Sequence, residues 1–356
     1  MKKLVILGAT GSIGTNTLAI VREHPDEFCV SALAVLNSAD RCAALAREFG
    51  ARAYSGPDAA VRAVEENDAD ICVVATVGMS GILPVWTAIE KGMDVALATK
   101  EALVMAGECI TAAAKKKGVR LIPVDSEHSA VFQCLQGCAD MGEVARLVLT
   151  ASGGPFLDAP ADLSGVTLEQ ALDHPRWKMG RKVTIDSSTM MNKGFEIIEA
   201  RWLFDVPVSR IDAVVHPESI VHSLVEFTDG ATLAQLSVPD MRVAIQYALS
   251  WPRRFASERR KLDLASLGSL TFRRPDEKRF PALALAKRAA EEGGAQCAVL
   301  AAADEWAVGA FERGEIPYTG IAAAVEKCLD AAPRIGAETI DAVMEANSWT
   351  WKFLSR

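Results

Sequence analysis

The chain has 356 residues, of which 50% are hydrophobic and 24% are charged, and its formal net charge is −8. This length and composition predict a globular protein with more than one domain and a substantial hydrophobic core. The acidic balance excludes the broad basic surface that binds nucleic acids or anionic membranes, so we expect neither as a partner.

The first third of the chain alternates short apolar runs with helical patterns. The runs are rich in β-branched residues and cover residues 4–7, 28–36, 71–76, 95–98 and 119–124. Strands that alternate with helices imply right-handed βαβ crossovers and a parallel sheet covered on both faces. We therefore predict a doubly wound, Rossmann-type α/β domain over residues 1–125.

The stretch GATGSIG, residues 8–14, follows the first predicted strand and opens the first helix. Glycines at this place allow a tight turn and a close approach to a pyrophosphate, which the helix N-terminus then binds; the alternative is a plain structural turn. The second strand ends in Leu36-Asn37-Ser38 without the acid typical of NAD sites, which favours NADP. Arg41 either contacts the 2′-phosphate or is an ordinary exposed helix residue.

Two acids follow the last apolar run of this domain. Asp125 and Glu127 are two residues apart, so on an extended chain both carboxylates leave the same face. They stand at the carboxyl end of a strand, where doubly wound folds bind ligands, and hard oxygen ligands favour Mg²⁺ or Mn²⁺. The alternative is the N-terminus of a helix, capped by Asp125 or Ser126 with an acidic first turn.

Residues 126–252 predict a second domain of the α+β type. Residues 143–151 read as a strand, and residues 219–238 read as two strands joined through Asp229-Gly230 in a hairpin. Between them lie long polar loops that carry Ser152, His174, Trp177 and Met179. These loops either form a flap that closes over a small ligand or pack as ordinary surface.

Residues 186–200, DSSTMMNKGFEIIEA, place hydroxyls, an amide and a lysine in one predicted loop ahead of a helix. The polar side chains here, which form a set that fits a phosphate group, are Ser187, Ser188, Thr189, Asn192 and Lys193. Glu196 lies nearly one helical turn beyond Lys193, so a phosphate held at residues 192 and 193 would place a third carboxylate near the metal. The alternative is a capped surface helix with an incidental lysine.

The last part of the chain predicts a linker over residues 253–280 and a helical domain over residues 281–356, where apolar residues recur at three- and four-residue spacing. Eight cysteines without a Cys-x-x-Cys pair are typical of a reducing compartment, so we expect a cytoplasmic protein. No apolar run approaches the roughly 18 residues that span a bilayer.

Six motifs in this order resemble those of 1-deoxy-D-xylulose 5-phosphate reductoisomerases, over nearly the whole chain: GATGSIG, VDSEHSA, SGGPF, HPRWKMGRK, DSSTMMNKGFE and HPESIVHSLVEFTDG. The resemblance implies an NADP-dependent oxidoreductase and isomerase of the non-mevalonate pathway of isoprene biosynthesis. The product implied for this enzyme is 2-C-methyl-D-erythritol 4-phosphate, made by a metal-assisted skeletal rearrangement and a reduction by NADPH. It also implies a homodimer, in which the hairpin at 219–238 extends a sheet across the two-fold axis.

The resemblance further implies roles for individual residues. The metal ligands, for magnesium or manganese, would be Asp125, Glu127 and Glu196, which with Lys100 make the catalytic set. The substrate would be bound by Lys100, Ser126, Glu127, Ser152, His174, Trp177, Ser187, Asn192, Lys193 and Glu196. The cofactor would contact Thr10, Gly11, Ser12, Ile13, Asn37, Lys100, Glu101 and Gly180.

Three stretches depart from the family's usual pattern. Leu36-Asn37-Ser38 replaces a Gly, basic residue and Asn, which bears on how the 2′-phosphate is held. Thr99 replaces an Asn at the edge of the cofactor site. Residues 300–308, LAAADEWAV, replace an Asn-rich run, and we expect this change to alter only packing in the C-terminal domain.

Two other functions are compatible with parts of the sequence. A generic NAD(P) dehydrogenase of a small aldehyde or hydroxy acid would also carry a nucleotide loop and an α+β domain, but hydride transfer alone needs no cluster of carboxylates. A dinucleotide-sensing regulator without catalysis predicts neutral residues at positions 125, 127, 193 and 196. All four positions are charged in this chain.

Overall fold

The computed structural model describes residues 1–160 and 162–356. The chain divides into two compact units. The first comprises Met1–Ala102, Ile110–Ser129 and Asp240–Arg259, and the second comprises Leu103–Cys109, Ala130–Pro239 and Arg260–Arg356. Residues 240–259 group with the nucleotide-fold residues, so the borders of the compact units differ from the predicted domain borders at residues 125, 252 and 280. The predicted domains remain a prediction.

The first unit is built on a six-stranded parallel sheet with the order β3-β2-β1-β4-β5-β6. Its strands are β1 (Lys2–Leu7), β2 (Phe28–Val35), β3 (Arg52–Ser55), β4 (Ile71–Val74), β5 (Asp94–Leu97) and β6 (Leu121–Pro123). The central strands read as continuous apolar runs because helices cover both faces of a parallel sheet. The predicted doubly wound fold is confirmed, with β3 as a strand that the sequence pattern did not reveal.

The helices that accompany this sheet are α1 (Ser12–Glu23), α2 (Ala39–Phe49), α3 (Ala59–Glu65), α4 (Ile82–Glu90), α5 (Glu101–Lys117), α6 (Ser126–Cys134) and α10 (Met241–Ser250). Helix α10 comes from far along the chain and packs against α1. Its C-terminal end is tied to β1, because Lys2 Nζ donates to the main-chain oxygens of Leu249 at 2.8 Å and Trp251 at 3.0 Å.

The second unit contains a four-stranded mixed sheet with the order β10-β9-β7-β8. Its strands are β7 (Val144–Ala151), β8 (Ile211–Val215), β9 (Val221–Phe227) and β10 (Thr232–Leu236). Strand β7 pairs parallel with β8 and antiparallel with β9. The predicted hairpin is confirmed as β9 and β10, whose turn holds Gly230 at φ +87° and the Asp229 carboxylate 2.9 Å from Ala231 N.

The other helices of the second unit are α7 (Leu168–Leu172), α8 (Arg181–Thr189), α9 (Met191–Phe204), α11 (Leu264–Leu267), α12 (Ala282–Glu292), α13 (Gln296–Glu312), α14 (Gly320–Ala331) and α15 (Ile340–Leu354). Helix α13 is buried along most of its length because α12, α14 and α15 pack around it. The prediction of a helical C-terminal part is confirmed. Across the described residues, every helix falls short of the length and apolarity needed to cross a lipid bilayer.

Candidate active site

The predicted nucleotide loop lies between β1 and α1. Gly8 adopts φ +80°, and a Cβ there would stand 2.2 Å from the oxygen of Ala75, so the turn requires glycine. A Cβ on Gly14 would meet the oxygen of Gly8 at 2.3 Å, which shows how closely α1 approaches the end of β1. The predicted cofactor residues 10–13 therefore sit together at the N-terminus of a 12-residue helix, whose N–H groups and dipole favour an anion.

The end of β2 carries the residues that bear on the choice between NAD and NADP. Leu36 is 63% exposed, Asn37 is also exposed, and Ser38 adopts φ +65° directly before α2. Arg41 is exposed in the first turn of that helix. This placement fits both readings of Arg41, the 2′-phosphate contact and the ordinary helix residue.

Lys100 and Glu101 stand where β5 meets α5, and both are buried. Thr99, which departs from the family's pattern, is buried beside them and donates from Oγ1 to the main-chain oxygen of Thr76 at 2.6 Å. Its methyl group would lie 2.7 Å from a Cβ at Gly81. Thr99 thus joins the ends of β4 and β5 through its own hydroxyl.

The carboxylate turn, residues 125–128, opens helix α6. Asp125 precedes the helix and accepts a hydrogen bond from Glu127 N at 3.1 Å, while Ser126 Oγ donates to the Glu127 carboxylate. The predicted extended geometry for Asp125 and Glu127 is therefore wrong. The helix-start alternative describes the backbone correctly, because an aspartate that bonds the N–H two residues later caps a helix.

A lysine and a histidine flank Asp125 within the first unit. Lys100 Nζ lies 3.1 Å from Asp125 Oδ2, and His128 Nδ1 lies 3.3 Å from Asp125 Oδ1. The His128 side chain is fully buried. Sequence reasoning assigned no role to His128, although its three-residue spacing from Asp125 at a helix start was a usable signal. These contacts orient the Asp125 carboxylate.

In the second unit the structure brings Ser152 and His174 together. Ser152 Oγ is 2.9 Å from His174 Nε2, and His174 Nδ1 accepts hydrogen bonds from Trp177 N at 2.9 Å and Arg176 N at 3.2 Å. Because Nδ1 accepts, the proton of the neutral ring resides on Nε2 and is donated to Ser152. Burial lowers the pKa of His174 from its ordinary value, in agreement with a neutral ring.

The segment at 186–200 is two helices rather than the predicted loop and helix. Helix α8 ends at Thr189, Met190 adopts φ +67°, and α9 begins at Met191. Ser187 lies in the last turn of α8, and Asn192 in the first turn of α9. The break at Met190 thus turns the chain where the predicted phosphate ligands are concentrated.

Helix α9 buries most of its charged residues. Lys193 is 3% and Glu196 2% exposed, and their side chains form an ion pair. Asn192 Nδ2 also donates to Glu196 Oε1, at 2.6 Å. The alternative of a surface helix with an incidental lysine is excluded, because such deep burial of charge requires the specific partners seen here.

The predicted flap is the stretch 174–182, and its residues 174–180 have no regular structure. Its last two residues already belong to α8, which begins after Gly180. Trp177 and Met179 are partly exposed. The Trp177 ring lies 6.4 Å from the His222 ring, and Arg176 Nε donates to Pro217 O at 3.2 Å. These few contacts hold the segment while leaving its apolar side chains accessible.

Comparison with known proteins gives a consistent result along the chain. Residues 4–55 and 47–107 match the family model for 1-deoxy-D-xylulose 5-phosphate reductoisomerase, and residues 121–204 match the model for its C-terminal domain. Residues 236–353 match a further model, the DXP reductoisomerase C-terminal domain. The 1-deoxy-D-xylulose 5-phosphate reductoisomerase of Geotalea uraniireducens is 48% identical, across 98% of this chain and 96% of the relative. The chain belongs to the 1-deoxy-D-xylulose 5-phosphate reductoisomerase family.

Other members of the reductoisomerase family agree. The enzyme of that name from Symbiobacterium thermophilum is 48% identical over 98% of this chain and 97% of its own. A crystal structure of DOX-P reductoisomerase with NADPH, fosmidomycin and magnesium is 38% identical, covers 100% of this chain and 98% of its own, and has a TM-score of 0.94. The Zymomonas mobilis reductoisomerase in complex with NADPH is also 38% identical, covers 98% and 97%, and has a TM-score of 0.90.

One departure from the reductoisomerase pattern affects a contact outside the C-terminal helices. Asp304, in the stretch 300–308, is fully buried in α13, and its Oδ2 accepts from Lys182 Nζ of helix α8 at 2.7 Å. Lys182 also donates to Asp186 Oδ2 at 2.6 Å. The expectation that this stretch alters only C-terminal packing is therefore wrong, because Asp304 contacts the helix that follows the flap.

Proposed function

We propose that this chain catalyses the rearrangement and reduction of 1-deoxy-D-xylulose 5-phosphate to 2-C-methyl-D-erythritol 4-phosphate, with NADPH and a divalent metal. The observation that carries this proposal is the 48% identity with named reductoisomerases over 98% of the chain, together with the charged residues kept at positions 125, 127, 193 and 196. The activity belongs to the non-mevalonate route of isoprene biosynthesis.

The metal ligands in this proposal are Asp125, Glu127 and Glu196. A donor set made only of carboxylate oxygens fits Mg²⁺ or Mn²⁺ better than zinc. The local structure supports the assignment, because Asp125 is oriented by Lys100 and Glu196 is a buried acid oriented by Asn192. When bound, the cation polarises neighbouring oxygens of the ketose, and NADPH supplies the hydride.

The substrate phosphate is assigned to the second unit, to Ser152, His174, Ser187, Asn192 and Lys193. His174 offers its Nε2 proton, Lys193 a buried positive charge and the other three polar hydrogens. A phosphate held in this way keeps the reacting fragments oriented between rearrangement and reduction. Trp177 would close over the substrate from the flap, with Lys100, Ser126, Glu127 and Glu196 near the reacting carbons.

NADPH is assigned to the loop at Thr10–Ile13, to Asn37 at the end of β2, and to Lys100, Glu101 and Gly180. The support in this chain is the helix N-terminus at residues 11–13 and the missing acid after β2. By domain, the nucleotide falls to residues 1–125, and the metal, phosphate, flap and dimerisation to residues 126–252, with the metal ligand Asp125 at the border between the two. Residues 253–280 serve as linker and 281–356 as a helical domain.

We assign this activity to a cytoplasmic homodimer. All eight cysteines are free thiols, which suits a reducing compartment. Strand β10 lies at the edge of its sheet, and its Leu233 is 50% exposed. An unpaired edge with exposed apolar side chains is suited to pairing with the same strand of a second copy.

A metal-dependence assay tests the proposal. NADPH consumption should require both 1-deoxy-D-xylulose 5-phosphate and a divalent cation, stop on addition of EDTA, and return with excess Mn²⁺. Glu196→Gln should bind NADPH normally and lose at least about a hundredfold in turnover, since one metal ligand is lost. Glu291→Gln, an exposed helix glutamate, is the matched control and should behave as wild type. Full turnover in EDTA would favour a simple dehydrogenase, and full turnover in Glu196→Gln would refute the metal assignment.

A further inference from the structure

Arg279 binds four main-chain oxygens of one turn. Its Nη2 donates to Phe156 O at 2.6 Å, Ala159 O at 2.5 Å and Pro160 O at 3.1 Å, and its Nη1 donates to Leu157 O at 3.2 Å. A guanidinium is suited to this arrangement because it is planar, always charged and rich in donors. Arg279 thus holds residues 156–160, called here the clamped turn.

The clamped turn follows Ser152-Gly153-Gly154 after one intervening residue, Pro155. The Phe156 side chain is buried and packs edge-on against Tyr318, with ring centroids 5.3 Å apart. Charge from Arg279 and apolar contact from Tyr318 therefore fix the same turn. Without the guanidinium, several carbonyl dipoles would converge with no cation to satisfy them, which costs free energy and favours a different turn conformation.

The loop between Ser152 and the clamped turn has no room to absorb such a change. A Cβ on Gly154 would lie 2.9 Å from the main-chain oxygen of Ser187, so the loop backbone lies against the last turn of α8. A Cβ on Gly153 would meet side-chain atoms of Leu157 at 3.0 Å and Val215 at 2.9 Å. A shift of the turn therefore passes to Ser152 and to its spacing from Ser187.

We propose that Arg279 is a positioning residue for the substrate-phosphate site. By fixing residues 156–160, it keeps Ser152 hydrogen-bonded to His174 and keeps the loop against α8, so that the hydroxyls of Ser152 and Ser187 meet one phosphate. Arg279 itself bonds main-chain oxygens and is assigned no contact with substrate. This inference rests on the proposed function, since it takes Ser152 and Ser187 as phosphate ligands.

Arg273 offers a matched control on the same turn. Its Nη1 pairs with Asp158 Oδ1 at 2.7 Å, with the two side chains 49% and 76% exposed. Its main chain pairs with Val215 in both directions, at 2.8 and 2.9 Å, and a substitution keeps those bonds. An exposed ion pair of this kind contributes little, so Arg273→Ala removes a cation from the turn without releasing its carbonyls.

The experiment compares Arg279→Met, Arg279→Lys and Arg273→Ala in the full-length enzyme. The measurements are KM for 1-deoxy-D-xylulose 5-phosphate, KM for NADPH, kcat, and the inhibition constant of inorganic phosphate. In Arg279→Met we expect the substrate KM and the phosphate inhibition constant to rise by about tenfold or more, with the NADPH KM within twofold of wild type. Arg279→Lys should raise the substrate KM and the phosphate inhibition constant by less than Arg279→Met does, because one ammonium reaches fewer oxygens. Arg273→Ala should match wild type.

The inference would be overturned if Arg279→Met had the same phosphate inhibition constant as wild type and the same melting temperature as Arg273→Ala. An equal rise in the KM values of substrate and NADPH, which is the mark of a general loss of structure, would also overturn it. If Arg279→Met does not fold, the same criteria apply to Arg279→Lys. Lys193→Ala separates the two proposals: if it raises the phosphate constant and Arg279→Met does not, only the role of Arg279 fails. If Lys193→Ala also has no effect, the phosphate site itself is misassigned.

Discussion

The hydrogen bonds around His174 determine which of its nitrogens carries the proton. Nδ1 accepts from two consecutive backbone N–H groups, of Arg176 and Trp177, and this leaves Nε2 to donate to Ser152. Protonation of Nδ1 would set a third N–H against the two that now point at it. The first turn of the flap therefore depends on a neutral ring.

This arrangement predicts a specific titration of His174. Its pKa should lie below the ordinary value of about 6.5, with the proton on Nε2, as read from the nitrogen chemical shifts of the imidazole. The chain has only five histidines, so His174→Gln assigns the signal. A ring that titrates above the ordinary value, or one with its proton on Nδ1, would contradict the assignment.

The same lowered pKa makes the stability of the protein depend on pH. The folded ring binds its proton less tightly than the unfolded one, so the contribution of His174 is complete above about pH 6.5 and declines as pH falls toward the lower folded pKa. His174→Gln should remove this part of the pH dependence, as measured by urea unfolding on either side of the window.

At the carboxylate turn, the sequence predicted the residues better than their geometry. The position of Asp125 and Glu127 after an apolar run indicates a ligand site, but it also suggests an extended backbone. The helix instead begins at Ser126, before Glu127, because the Asp125 carboxylate caps it. The turn at Met190 had no sequence signal, since φ +67° there is carried by a side chain that rarely adopts it.

Among the helices, α8 and α13 are joined by a buried charge cluster. Lys182 Nζ binds Asp186 within α8 and Asp304 in α13, and the two acids are 3% and 0% exposed. One ammonium group thus forms ion pairs with two buried carboxylates, and one of these, Asp186, lies next to Ser187 in α8. The same Nζ lies 5.1 Å from the centre of the Phe195 ring, which adds a favourable contact for the cation.

Removing the cation from this cluster should cost far more than neutralising one acid. Lys182→Met leaves two buried carboxylates without their shared ammonium, and we expect a loss of about 3–5 kcal/mol in the free energy of unfolding. Asp304→Asn keeps an oxygen that accepts from Lys182 and should cost no more than about 1.5 kcal/mol. Urea unfolding of both variants checks this, and a similar loss in the two would show that the lysine is not the centre of the cluster.

Strands β3 and β8 were not predicted, because the hydrophobic pattern of each is short or weak. Strand β3 lies at the sheet edge and buries only Tyr54, so it lacks an apolar run. Strand β8 alternates buried Ile211, Ala213 and Val215 with partly exposed residues, a usable pattern in only five residues. Strands β1 and β7 were predictable, because each contains a longer run of apolar residues, and such a run indicates a strand buried in the core.

At the scale of the whole molecule, the grouping of residues 240–259 with the first unit could not be read from chain order. It depends on contacts with residues more than two hundred positions away. Lys2 binds the end of α10, Arg253 pairs with Glu27, and Arg259 pairs with Glu23. Sequence patterns predict elements, whereas such pairings emerge only when the chain is folded.

The proposed dimer depends on which groups of β10 face outward. Phe227 N bonds Ala231 O, and the register pairs Leu233 with Val225 and Ala234 with Leu224. Hydrogen-bonded and non-hydrogen-bonded pairs alternate along an antiparallel ladder, so Leu233 bonds to β9 while the N–H and C=O of Ala234 point away from it. These outward groups are the ones available to a second copy.

Ala234→Pro should therefore convert the dimer to a monomer without unfolding the hairpin. Proline is tolerated on an edge strand where the missing N–H faces outward, and it removes one donor from the proposed intermolecular ladder. Gln235→Pro, one position along, deletes an N–H that pairs with β9 and should instead lower the melting temperature. Light scattering and thermal melting distinguish the two effects. If Ala234→Pro stays dimeric and as stable as wild type, the two copies do not pair through β10, and another surface must form the interface.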